Sequence, residues 1–233
     1  MKNIKWLVIA FLSIIVISCK DDSGEYARTF FTDEEMSTAL KKCLSVSLDT
    51  ANSHLAVPGG FSTYDNGKYR VSLPSSANDI VAKLRENNKG DLVDSLESKL
   101  NAALEISGNN SKTIFTRAIN ETVFPIPENI VNGAKNAATS YLRTTKALFL
   151  IENMKPLIQA NMNSTEALRY WNEVLLAYRE YESQPVSIDL VYYATQQMVN
   201  HILSEMELEE ALIRQNPAHR VSAVLERVFQ HQN

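Results

Sequence analysis

Apolar residues recur at helical spacing along most of this chain. Thr32-Asp33-Glu34-Glu35 reads as a capping box, in which Thr32 caps the first turn and Glu35 reaches back to it. Behind it Met36, Leu40, Cys43, Ser47, Ala51 and Leu55 fall on one face, predicting a helix over 33–55 that Val57-Pro58-Gly59-Gly60 stops. The period changes to two over 61–73. There Tyr69, Val71 and Leu73 alternate with Lys68, Arg70 and Ser72 after the turn signal Asp65-Asn66-Gly67, so the expectation is a minor β-hairpin packed on helices.

Helical spacing returns over about 77–88 and 91–106, with a break at Lys89-Gly90 and a second expected at Gly108-Asn109-Asn110. Another helix runs from Ile114 to Phe124, where Pro125-Ile126-Pro127 cannot continue it. A long helix follows Gly133 and runs toward Met162, with a bend expected at Pro156. Asn163-Ser164-Thr165-Glu166 reads as a second capping box, opening a helix over 165–182. A helix over 188–214 precedes Asn216-Pro217, read as the cap and first position of a last helix burying Val221, Val224, Leu225 and Val228. The fold class is therefore all-α: an irregular bundle of six to eight helices with a minor β-hairpin near 61–73, in one domain over 32–233. Seven Gly and seven Pro in 233 residues agree, because a chain poor in punctuating residues has few turns.

The N-terminus departs from this pattern. Lys2 and Lys5 precede an apolar run, Trp6 to Ile17, close to the roughly 7–15 residues of a secretory signal. It is shorter than the roughly 20 residues that span a bilayer as a helix. Val16-Ile17-Ser18-Cys19 resembles the lipobox of bacterial lipoproteins, with Val16 where leucine is usual. Residues 1–18 are thus read as a lipoprotein signal peptide and 19–31 as a tether lipidated on Cys19. Lys20-Asp21-Asp22 resembles a surface-export signal, so surface display and a periplasm-facing position on the outer membrane both stay open. Removing residues 1–18 takes away two lysines and no acid, moving the formal charge from −4 to −6. That balance, with no basic block, argues against nucleic acid as partner. With Cys19 lipidated, Cys43 has no disulfide partner, and its apolar surroundings predict a buried, inert thiol.

Candidate chemistry is sparse. His201, Glu205 and Glu209 share one helical face, a spacing that could hold a metal if His54, His219 or His231 joined them. Glu205, Glu207, Glu209 and Glu210 crowd six positions; the bland expectation is a solvated charge run with Glu210 and Arg214 paired one turn apart. Arg143 beside Tyr141, Arg169 beside Tyr170 and Trp171, and the pair Tyr192-Tyr193 suggest locks between helices or the rim of a pocket. The Gly-x-Ser-x-Gly elbow, the Gly-rich phosphate loop, paired Cys-x-x-Cys and His-Glu-x-x-His do not occur. No catalytic residue, cofactor or metal is assigned.

Several stretches together resemble the bacterial lipoprotein family catalogued as domain of unknown function 4197. They are Arg70-Val71-Ser72-Leu73-Pro74, Ile130-Val131-Asn132-Gly133, Ala137 to Arg143, Arg169-Tyr170-Trp171-Asn172, Asp189 to Tyr193, and Glu209 to Pro217 followed by Arg220. The resemblance covers most of 32–229 and implies a mostly helical single domain on exported proteins. It implies no activity. The expected function is a non-enzymatic envelope lipoprotein, held to the membrane by lipid on Cys19. Such a module would bind a partner protein or an apolar ligand, or serve structurally. The alternative is an envelope hydrolase whose site assembles only in the fold.

Overall fold

A computed structural model describes residues 31–183 and 185–230. The signal peptide expected at 1–18, Cys19 with almost all of its tether, and His231 lie outside the described residues. Eight α-helices and no strands occur among those that are described. They are α1 (Asp33–Leu55), α2 (Asn78–Glu86), α3 (Gly90–Asn120), α4 (Pro127–Val131), α5 (Ala137–Ser164), α6 (Ala167–Tyr178), α7 (Leu190–Gln215) and α8 (Ala223–Phe229).

The four long helices make a closed ring: α1 packs on α3, α3 on α5, α5 on α7, and α7 back on α1. Cross-helix pairs fix their directions. Lys112 meets Asp49 and Lys41 meets the carbonyl of Asn120, so α3 runs against α1. Asn161 bonds Ser107, and Arg117 covers the ring of Phe149, so α5 runs against α3. Arg143 reaches Glu207 and Lys155 reaches Asp189, so α7 runs against α5. This alternation suits bundle packing, in which each helix buries an apolar stripe in the shared interior. Leu40, Leu44, Leu48, Leu100, Leu104, Leu142, Ile158, Met198 and Ile202 fill it. Short helices cover the ends, α2 and α6 beside α3, α4 and α8 beside α1.

The capping box at Thr32 forms: the Glu35 amide donates to Thr32 Oγ1 at 3.1 Å and the Thr32 amide to Glu35 Oε2 at 3.1 Å. The one expected at Asn163–Glu166 does not. α5 continues to Ser164, and Glu166 takes a left-handed turn (φ 67°) that reverses the chain into α6. Asn216-Pro217 caps only a short 3₁₀ turn, Pro217–His219; α8 starts at Ala223 and Val221 stays exposed rather than joining the core. Pro156 lies inside α5 without ending it.

Nor does the break expected at Gly108 occur, since α3 is one helix of 31 residues. A Cβ on Gly108 would lie 2.5 Å from Ala56 Cβ, so the glycine lets α3 approach the end of α1 closely. The hairpin near 61–73 is also absent. Its turn exists, with Asp65, Asn66 and Gly67 all left-handed (φ 49°, 58° and 78°). Its alternation exists too, with Tyr69, Val71 and Leu73 buried. What is missing is a partner strand. Asn101 of α3 replaces it: its Oδ1 accepts the Val71 amide at 2.9 Å and its Nδ2 donates to the Val71 carbonyl at 2.8 Å. Glu97, one turn earlier, accepts the Leu73 amide at 3.1 Å.

Candidate functional site

The acidic stretch of α7 is where the structure departs most from a solvated charge run. Glu205, Glu209 and Glu210 are buried, and only Glu207 keeps substantial exposure. A carboxylate taken out of water is strongly disfavoured unless donors replace the lost hydration. Each of the three finds donors from a different part of the chain.

Glu205 holds the far end of α1 and the segment after it. His54 Nδ1 approaches Glu205 Oε1 at 2.7 Å and the Tyr64 hydroxyl donates to the same oxygen at 3.0 Å. The buried Tyr69 hydroxyl donates to Oε2. Burial by itself raises the Glu205 carboxyl pKa, but the bonds from Tyr69, His54 and Tyr64 outweigh it and hold the pKa below the ordinary value. The same contacts act on the phenols in the opposite sense. Burial first, then bonding to Glu205, pushes Tyr64 up to about 12 and raises Tyr69 as well. The rings also stack, His54 on Tyr64 at 4.8 Å and Tyr64 on Tyr69 at 5.8 Å.

Glu210 does a different job. It accepts the Ala138 amide at 2.9 Å, the Thr139 amide at 2.7 Å and the Thr139 hydroxyl at 2.7 Å. It is thus a capping carboxylate for α5, delivered by another helix to the positive end of the dipole. The pairing expected with Arg214 is present, at 2.8 Å, but buried. Arg214 also donates to the carbonyls of Val131 and Ile130 and lies over the ring of Phe229. Arg220 closes the end of α7 through the Ile213 and Arg214 carbonyls. Glu209 meets His219 Nδ1 at 2.9 Å.

His54 and His219 therefore do arrive by folding, but at separate carboxylates. His201 turns to aromatic neighbours, with Tyr69 edge-on at 5.4 Å and Phe61 at 6.1 Å, and burial lowers its pKa. Among the described residues no group of three His, Cys, Asp or Glu side chains is placed to hold a metal ion. Cys43 is fully buried, and its thiol pKa is raised, by burial first and then by the charge of Glu210.

The Arg and aromatic motifs divide. Arg143 bridges helices to Glu207 and Asn200, the Tyr141 hydroxyl donates to the Val123 carbonyl, and the Tyr193 hydroxyl to that of Ser72. Arg169 stays local, over Tyr170 and paired with Glu166 and Glu173. A shallow groove of about 400 Å³ lies between α3 and α6, lined by Asp91, Asp94, Ser95, Ser98, Lys99 and Tyr170. Its lining residues all carry polar groups, although their apolar stems make up much of the wall, and no aliphatic side chain lines it as in a cavity for a hydrophobic ligand.

Two ties escape sequence reasoning, Asn101 to Val71 and Glu210 to the start of α5. For the acids a signal exists. Glu205 and Glu209 fall on the same helical stripe as Met198, Ile202 and Ile213, all buried. A carboxylate on an apolar stripe predicts a bonded, buried group.

The molecule is thus an all-α protein whose buried charges pin helix ends and one extended segment to a four-helix ring. Residues 31–230 match the family described as "Protein of unknown function (DUF4197)", and the chain belongs to that family. No curated protein and no solved structure shows significant similarity to it.

Proposed function

We propose that this protein is a non-enzymatic envelope lipoprotein, fastened to the outer membrane by lipid on Cys19, that serves as a binding or structural module. The observation carrying the non-enzymatic part is the state of Glu205. Both of its oxygens accept hydrogen bonds from three side chains, and its pKa is held low. A general base works best with a pKa near the working pH, whereas the Glu205 carboxylate is held low and is already bonded at both oxygens. Glu210 is equally committed, to two amides, a hydroxyl and Arg214. The anchoring part rests on Lys2, Lys5, the short apolar run and Ser18-Cys19.

The test is recovery of the full lipidated protein from its native envelope, with mass spectrometry of co-purified proteins and of extracted lipids. Enrichment of one protein or lipid class over an unrelated lipoprotein supports the binding module. Recovery of neither removes that part of the reading.

One observation favours the hydrolase as a second reading. His54 puts Nδ1 on Glu205 while its side chain is 37% exposed, leaving Nε2 to accept a proton from water. Ester or amide hydrolysis by the purified protein, abolished in His54→Asn, would establish it. Equal rates in the two proteins would dismiss it.

A further inference from the structure

The surface around the start of α1 combines two features that point to one occupant. The first is apolar exposure. Val123 and Ile126, in the loop between α3 and α4, are 74% and 58% exposed, and Val221, between α7 and α8, is 66% exposed. Burial of such side chains is favourable, and a cluster of them at one end of a domain is a contact surface in waiting. The second feature is the place of Phe31, where the described chain begins.

A continuous set of contacts joins these positions. Arg227 of α8 pairs with Glu35 at 2.8 Å and lies over the ring of Phe31. Lys41, within the first three turns of α1, donates to the Asn120 carbonyl at 2.7 Å, where the loop carrying Val123 and Ile126 departs. Arg214, at the end of α7, bonds the carbonyls of Ile130 and Val131 in α4 and covers Phe229 of α8. The ends of α3 and α7 and the starts of α1 and α5 therefore share one end of the ring. The loops bearing Val123, Ile126 and Val221 are there too.

We propose that this end lies on the lipid bilayer, with Val123, Ile126 and Val221 entering the interface between headgroups and acyl chains. The inference rests on the anchoring reading of Cys19. Phe31 lies twelve positions after Cys19, a stretch that reaches at most about 40 Å even fully extended. That is about the diameter of a domain this size. The opposite end can meet the membrane only with this stretch fully extended, so the anchored end, which carries the apolar tips, is the one favoured beside the bilayer. Leu148 and Leu176, also well exposed, stand apart on α5 and α6. Charge selects the lipid. The exposed acids Glu121, Glu128 and Glu226 are offset at this end by Arg117, Lys135 and Arg227, so no excess of positive charge is offered to an anionic surface. The occupant is a zwitterionic bilayer bound through apolar contact, insensitive to salt.

The experiment uses the full lipidated chain in vesicles of phosphatidylcholine and phosphatidylethanolamine containing nitroxide-labelled lipid. Val123→Cys, Ile126→Cys, Val221→Cys and Leu176→Cys are each labelled with an environment-sensitive dye. Cys43 is buried and does not compete. Leu176 is the control, on α6, which packs where Lys89 before α3 pairs with Glu180 at the opposite end. Dyes at 123, 126 and 221 are expected ~5–10 Å into the interface. They should be quenched several-fold more than the dye at 176, equally in low and high salt. Equal quenching at all four sites on a membrane-bound protein overturns this inference and leaves the anchor intact. A chain that Cys19→Ser fails to release from native membranes shows instead that the anchoring reading has failed, and this inference with it.

Discussion

Replacing Glu210 by alanine takes away the acceptor for two amides at the start of α5, for the Thr139 hydroxyl and for Arg214. The largest consequence falls on Arg214. Its side chain is 3% exposed, so no water can replace the lost carboxylate. Removing one partner of a buried ion pair costs about 3–5 kcal/mol. Two unsatisfied amides add to that, and relaxation of α5 takes some of it back. Against a total stability of roughly 5–15 kcal/mol the change is large. Urea unfolding followed by far-ultraviolet circular dichroism reads it as a fall in midpoint with unchanged slope. Glu207→Ala is the comparison, because that residue lies on the same helix but its pairing with Arg143 is partly solvated. The expected loss there is below about 1 kcal/mol. If Glu210→Ala costs no more than Glu207→Ala, the carboxylate is not the cap and counter-charge described above.

Three further outcomes follow from the same geometry. Tyr69→Phe removes one donor from Glu205 and should cost about 1.5–3 kcal/mol; amide exchange at Val71 and Leu73 should speed up while that of α5 does not, and uniform exchange would contradict the lock. Glu205, with its pKa lowered, contributes stability that is fully present above about pH 4.5, its ordinary value, and is lost as pH falls through the lower folded value; Glu205→Gln should flatten that part of the stability profile, and an unaltered acid limb would count against it. Gly108→Ala should destabilise by about 1–3 kcal/mol through crowding against Ala56, even though alanine is the better helix former by about 1 kcal/mol; Ala56→Gly should restore only part of the loss, because the Ala56 Cα stays 2.8 Å from the added Cβ, and a stabilised single variant would refute the close approach.

The fold class was legible because helix period depends on local spacing alone. The residues that misled were those whose role is set by distant parts of the chain. Gly108 reads as a breaker in isolation, and only the proximity of Ala56 makes it a packing residue. Tyr69, Val71 and Leu73 alternate as a strand does because all three bury their side chains, yet the backbone of Val71 pairs with the Asn101 side chain and not with a strand. Thr32 and Glu35 cap α1 as read, since both partners lie within one turn. At Asn163–Glu166 the same pattern loses to α5, which continues to Ser164 and leaves two residues for the reversal. The acids of α7 were visible as a cluster. They read as a solvated run, and the structure buries three of them; the place of Glu205 and Glu209 on the apolar stripe was the overlooked signal, while partners 71 and 151 residues away had no local signature.

The anchoring reading at Cys19 is the claim on which the proposed place and role of this protein depend. Cells expressing it are fed an alkyne-tagged fatty acid, and the purified protein is assayed for the tag with and without Cys19→Ser. Incorporation into the native chain and its loss in the variant, with release of the variant from the membrane fraction, is the expected result. A native chain without label, or a variant labelled as strongly as the native chain, would contradict it.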